Sequence, residues 1–144
     1  MCPKVAKFFL INLSETKKEI QLPEDEEITI GRHIDNIIRI SNDLMLVSRF
    51  HAKIRIRGGK CYFEDLNNNK NDSYKTSYRD YQGAHKWDRL QKGSETFIEN
   101  NTVIRLGGKN ANIEMEGANV CDIKIIVKEI EESDTTTIIA NDNR

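Results

Sequence analysis

Ser48-Arg49-Phe50-His51-Ala52-Lys53-Ile54-Arg55-Ile56-Arg57-Gly58-Gly59-Lys60-Cys61-Tyr62-Phe63-Glu64-Asp65-Leu66 is the stretch that decides the fold. From Ala52 to Arg57, apolar and charged side chains alternate with a period of two, the signature of a half-buried strand. Gly58-Gly59 is a hairpin signal, and Lys60 to Leu66 reads as the returning strand. Upstream, Glu27-Ile28-Thr29-Ile30 alternates and then meets Gly31-Arg32. Residues 7–13 form an apolar strand, residues 19–23 alternate and stop at Pro23, and residues 36–40 are another short apolar run before the turn residues Ser41-Asn42-Asp43. Downstream, residues 102–106 end at Gly107-Gly108, and residues 111–115 and 122–130 complete the series. No window carries a capped amphipathic helix. Short strands punctuated by turns every ten residues or so predict an all-β, antiparallel sandwich.

The chain has 144 residues, enough for one domain with its own core. Its formal net charge of −1 lacks the basic excess of a sequence-independent nucleic-acid binder, so no nucleic-acid partner is expected. The apolar run at Phe8–Leu13 is too short to span a membrane, and no membrane association is expected. Cys2, Cys61 and Cys121 are odd in number and far apart, which predicts reduced thiols in an intracellular protein and no metal site. Residues 67–95 read as one long polar loop holding Tyr74, Tyr78, Tyr81 and the only tryptophan, Trp87. Those aromatics, interleaved with Arg79, Lys86, Arg89 and Lys92, could stack bases, but the near-neutral charge favours a role in pinning the loop. Residues 1–130 are expected to form the domain, and the acidic, Thr-rich residues 131–144 a disordered tail.

The chemistry gathers at two turns. Gly31 follows an alternating strand and marks a tight turn or a close approach of backbone. Arg32 projects from that turn, Ser48 adds a hydroxyl donor, and Arg49 adds a second cation. Arginine's permanent charge and planar fork of donors suit a phosphate dianion. Each charge-assisted bond contributes roughly 1.5–3 kcal/mol. Three of them with backbone donors support micromolar affinity, about −8 kcal/mol. Catalysis would need a nucleophile with its base, a metal cluster or a nucleotide loop. None of these is legible, so neither catalytic residues nor a cofactor are expected.

Ile30-Gly31-Arg32, Val47-Ser48-Arg49-Phe50-His51-Ala52-Lys53-Ile54, Tyr62 to Leu66 and Val103 to Gly107 together resemble the forkhead-associated (FHA) domain, in that family's order and near its spacing. The resemblance covers roughly residues 5–130. It implies a sandwich of about eleven strands whose loops at one end bind a phosphothreonine peptide, a mode of phospho-motif recognition by arginines. Carried over residue by residue, it implies that Arg32 and Ser48 bind the phosphate, with Arg49 beside them. Gly31 matches the family's turn glycine, and His51 its histidine that ties the binding loops together.

After Asp65-Leu66 the family has Ser or Thr followed by Asn-Gly-Thr, where this chain reads Asn67-Asn68-Asn69-Lys70-Asn71-Asp72-Ser73. Aligning Asn71-Asp72-Ser73 with Asn-Gly-Thr implies that Asn71 holds the ligand backbone and Lys70 faces the phosphate; an alignment without the insertion puts Lys70 on the family asparagine. Asn101-Thr102 stands where Gly-Asp is usual, and Asn101 can serve a left-handed turn. Leu44-Met45-Leu46 is more apolar than the family norm and is read as core, as a specificity surface for an apolar ligand residue, or as a partner contact. Thr135 and Thr136 each precede an isoleucine by three positions, so a phosphorylated tail could bind a second copy of the domain; an inert linker is the alternative. The expected function is a non-catalytic phosphothreonine-reading module, the N-terminal regulatory part of a checkpoint, DNA-damage or cell-cycle protein such as a kinase, nuclear rather than cytoplasmic. The competing expectation is a degenerate FHA fold acting as a phosphate-independent scaffold.

Overall fold

A computed structural model describes residues 4–66, 77–80, 87–91, 93–108 and 120–131. They form eleven strands: β1 (Lys4–Asn12), β2 (Glu19–Leu22), β3 (Glu27–Gly31), β4 (Ile38–Arg39), β5 (Ala52–Arg57), β6 (Lys60–Asp65), β7 (Ser77–Asp80), β8 (Trp87–Arg89), β9 (Glu95–Ile98), β10 (Thr102–Leu106) and β11 (Cys121–Glu131). One sheet has the order β2-β1-β11-β10-β7-β8 and the other β4-β3-β5-β6-β9. The described pairings are antiparallel except β3 with β4, which run parallel with Gly31 opposite Arg39.

The period-two pattern places the core. Ile28 and Ile30 of β3, Ala52, Ile54 and Ile56 of β5, Cys61 and Phe63 of β6 and Ile98 of β9 all point inward. They meet Phe8 and Leu10 of β1, Ile104 and Leu106 of β10, and Ile123 and Ile125 of β11. Each fully buried aliphatic or aromatic side chain contributes about 1.5–3 kcal/mol. The alternate residues of β5 face solvent, where Lys53 and Arg55 both reach Glu27 and Arg57 forks onto Glu95 at 2.7 and 3.2 Å. The cations hold the Glu27 and Glu95 carboxyls below the usual carboxylate range. Gly58 and Gly59 turn β5 into β6 with φ of 58° and 74°, the conformation a two-residue type I′ hairpin requires.

The expected loop at residues 67–95 is corrected by the structure. It contains β7 and β8, and β9 begins at its end. β7 pairs with β10, from Val103 opposite Asp80 to Leu106 opposite Ser77, and β8 pairs with β7. Ser77 and Asp80 are buried polar residues, so the strand shows no apolar alternation to read. Trp87 lies over Arg105 at 4.6 Å, and Arg105 is held by Asp122 through two 2.8 Å bonds. The tryptophan therefore packs against the sheet. The expected strand at residues 111–115 and the tail beyond residue 131 lie outside the described residues.

At one end of the sandwich β3 leads to Arg32, β5 starts at Ala52, and Leu106 at the end of β10 lies opposite Cys121 at the start of β11. From there β1 and β11 pair along their length, from Asn12 opposite Ile123 to Lys4 opposite Glu131.

Candidate functional site

The site is built on a backbone frame. The β3–β5 pairing continues past both strands: His51 N–H donates to Ile30 O at 2.9 Å, Arg32 N–H to Ser48 O at 3.1 Å, and His33 N–H to Arg49 O at 3.0 Å. The segment Ser48–Arg49 is thus laid directly on Gly31. A Cβ at Gly31 would stand 2.1 Å from the Arg49 carbonyl oxygen, so only glycine permits the approach. On the other side, a Cβ at Gly107 would stand 2.6 Å from the Leu46 carbonyl oxygen. Gly31 in β3 and Gly107 just after β10 pinch the loop between them.

Asn36 locks this frame. Its Nδ2 donates to His33 O at 2.8 Å and to Arg49 O at 2.7 Å, and its side chain is buried. It joins the turn after β3 to the loop before β5, two segments 13 residues apart in sequence.

The side chains then divide by role. Arg32 donates from Nε to Val47 O at 2.5 Å, which fixes the guanidinium against the loop. Ser48 N–H donates to Nδ1 of His51 at 3.0 Å, and Nε2 of His51 lies 3.0 Å from Ser77 Oγ. Because Nδ1 accepts, the ring is neutral with its proton on Nε2, where it donates to Ser77. His51 is fully buried and links the loop to β7 of the opposite sheet. Arg49 is exposed. Arg55, Arg57 and Arg105 each hold a carboxylate, whereas among the described residues neither Arg32 nor Arg49 has one. Arg32 and Arg49, on loop segments joined by backbone bonds next to Ser48, can receive an anion without first breaking an ion pair to a described residue.

Gly31, Arg32, Ser48, Arg49 and His51 are brought together at this end. Lys70 and Asn71 lie outside the described residues. The Leu44–Met45–Leu46 stretch splits: Leu44 packs on the core, Leu46 is half-buried, and Met45 is exposed. Asn101 takes φ 67°, the left-handed turn expected of it. Among the described residues no cluster of three or more His, Cys, Asp or Glu side chains could hold a metal ion.

With this geometry in place the comparisons with known proteins decide the family. The FHA domain profile matches residues 28–107, which takes in both pinching glycines, the two arginines, Ser48 and His51. This chain belongs to the FHA domain family. No curated protein matches it. Among solved structures, the FHA fold is shared with the N-terminal FHA domain of S. cerevisiae Rad53p in complex with a phosphothreonine peptide, at 14% identity and TM-score 0.62, covering 85% of this chain and 94% of that one. The FhaA FHA domain complexed with the intracellular domain of Rv3910 is 25% identical, with TM-score 0.55, covering 84% of this chain and 99% of that one. The MEK1 FHA domain in complex with a HOP1 phosphothreonine peptide is 13% identical, with TM-score 0.58, covering 86% and 99%. FHA domains are non-catalytic interaction modules, and this chain is one of them.

Three residues of this frame escaped the sequence. Asn36 sits in a polar turn where an asparagine needs no special explanation, and its two carbonyl acceptors come together only on folding. Ser77 was hidden in the polar stretch that became β7. His33 stacks on Phe50 with ring centroids 4.7 Å apart, a contact between two loops that no periodicity encodes.

Proposed function

We propose that this FHA domain binds phosphothreonine on partner proteins, with Arg32 and Ser48 as the phosphate clamp and Arg49 as an additional cation. The single observation that carries the reading is the pair of arginines without carboxylate partners among the described residues, on backbone segments joined by the Arg32 N–H to Ser48 O and His33 N–H to Arg49 O bonds. Lys70 as a further phosphate-facing cation and Asn71 as the holder of the ligand backbone complete the proposal. His51 acts as a positioning residue through Ser48 N–H and Ser77.

A degenerate phosphothreonine peptide library, followed by titration of the best peptide and its unphosphorylated form, tests the reading. Arg32→Ala should weaken phosphopeptide binding by about tenfold to a hundredfold, the scale of one or two charge-assisted bonds, with little change in melting temperature. Partner binding unchanged by Arg32→Ala would instead favour a phosphate-independent scaffold. The wider setting, a nuclear checkpoint, DNA-damage or cell-cycle protein that could also self-associate through phosphorylated Thr135 or Thr136, belongs to the proposal by family analogy. Solution mass measured with phosphorylated and unphosphorylated tails tests the self-association.

A further inference from the structure

The pole opposite the arginines carries a cleft of about 410 Å³ that phosphate recognition does not use. It lies beside the Gly58–Gly59 turn, at the far end of β5 from Ala52. Both sheets line it, one through Phe8 of β1 and Val127 of β11, the other through Phe97 and Ile98 of β9. Phe8 and Ile98 are buried, Val127 is half-buried, and Phe97 is 47% exposed. A single exposed apolar side chain is ordinary. Here it is the open wall of an apolar cleft whose size suits apolar side chains. Polar bonds hold the walls in place. Val127 N–H donates to Asn100 Oδ1 at 2.7 Å, and Arg79 Nη1 of β7 donates to Phe97 O at 3.3 Å. At the rim, Lys60 Nζ stands 5.9 Å from the Phe97 ring centroid, and no carboxylate among the described residues pairs with it.

We infer that this cleft is a docking site for the segment of the same chain that follows β11, with Ile138 and Ile139 against Phe97 and Val127 and the acidic Glu132 and Asp134 toward Lys60. The inference is independent of the phosphate reading. Reach favours this occupant. Val127 is itself a wall of the cleft, and β11 ends four residues later at Glu131. Ile138 lies seven residues beyond Glu131, so the chain can turn back over the roughly 13 Å from Glu131 to Val127 with about 23 Å of extended length at its disposal. Composition favours it as well. The segment begins with the carboxylates of Glu132 and Asp134 and continues to the apolar Ile138-Ile139-Ala140, in keeping with a cleft that is apolar inside and has an unpaired cation at its rim. Tethering decides between this segment and a free partner. A short tether presents its segment at an effective concentration on the millimolar scale, so even a weak contact is populated without a partner.

The experiment attaches a nitroxide spin label to Asn141→Cys in the full chain with Cys2→Ser. Cys61 and Cys121 are buried and are not expected to take the label. Amide signals of Phe97, Ile98 and Asn100 should be lost to paramagnetic broadening while those of Arg32 and Ser48 persist. Ile138→Ser combined with Ile139→Ser should restore the lost signals; both positions lie beyond the last strand, and the rest of the spectrum reports that the fold is intact. Lys60→Glu should also restore them in part, and adding Glu132→Lys and Asp134→Lys to that variant should bring the broadening back. Broadening confined to the neighbours of Glu131, or unchanged in the isoleucine variant, overturns the inference. So does broadening that appears on an isotope-labelled copy without a spin label when it is mixed with a spin-labelled copy, since the cleft would then hold a second molecule.

Discussion

The contact at Gly31 is the tightest demand the site makes on a single residue. A methyl group there would lie 2.1 Å from the Arg49 carbonyl oxygen, with Asn36 Nδ2 at 3.0 Å on another side. The nearest atoms are Arg49 backbone, so the loop itself must move. Gly31→Ala should cost about 1–3 kcal/mol, read as a lower urea midpoint, because inserting a carbon into a packed site displaces backbone. It should also weaken phosphopeptide binding although Arg32, Ser48 and Arg49 are all unchanged; a variant with full affinity would show that the loop position does not matter. At this scale the sequence displayed the charged and small residues well. Gly31, Arg32, Ser48 and His51 stand in recognisable order, whereas Asn36 is invisible because its role depends on carbonyl oxygens that only folding assembles.

Between elements, His51 is the bridge. Its ring takes Ser48 N–H on one nitrogen and meets Ser77 Oγ on the other, both at 3.0 Å, so the loop before β5 is tied to β7 in the other sheet. Removing either partner deletes a buried hydrogen bond, a loss of about 0.5–1.5 kcal/mol. A double-mutant cycle on His51→Ala and Ser77→Ala should therefore give a coupling of about 0.5–3 kcal/mol in chemical unfolding. Strict additivity would show that the two sheets are joined at this end by packing alone. Strand boundaries follow the same logic of visibility. β3, β5, β6, β10 and β11 could be read because apolar and polar residues alternate over a core. β7 could not, since Ser77 and Asp80 are polar and buried, and β8 has only three residues whose partner strand is itself obscure. The local polarity of these segments says loop, and only their pairing to β10 and to each other overrides it.

At the scale of the molecule, the interior holds two thiols, one in each sheet. Burial pushes the Cys61 thiol up to about 12, and burial together with Glu15 and Asp122 pushes Cys121 up as well. Unfolding returns both to the ordinary thiol range near pH 8.5, about where the unfolded chain begins to lose protons that the folded chain keeps. Their contribution to stability is therefore intact below that range and declines as pH rises through it toward the folded values. In a Cys2→Ser background, native protein at about pH 8 should resist a thiol reagent that labels both cysteines in urea, and Cys61→Ala should flatten the fall of the urea midpoint between about pH 9 and pH 11. Rapid labelling of the native protein would contradict this.

The long β1–β11 pairing gives the molecule a direction. Lys4 and Glu131 lie opposite each other, while Asn12, Leu106 and Cys121 belong to the end that carries the arginines. At about 3.3 Å per residue, the nine paired residues of β1 set Lys4 and Glu131 roughly 30 Å from the loops. Lys4 and Glu131 stand side by side at the pole away from Arg32 and Arg49. The domain can therefore be hung from a single point on a larger body, or spliced into a host chain across a gap of one strand spacing, with its reading face turned outward.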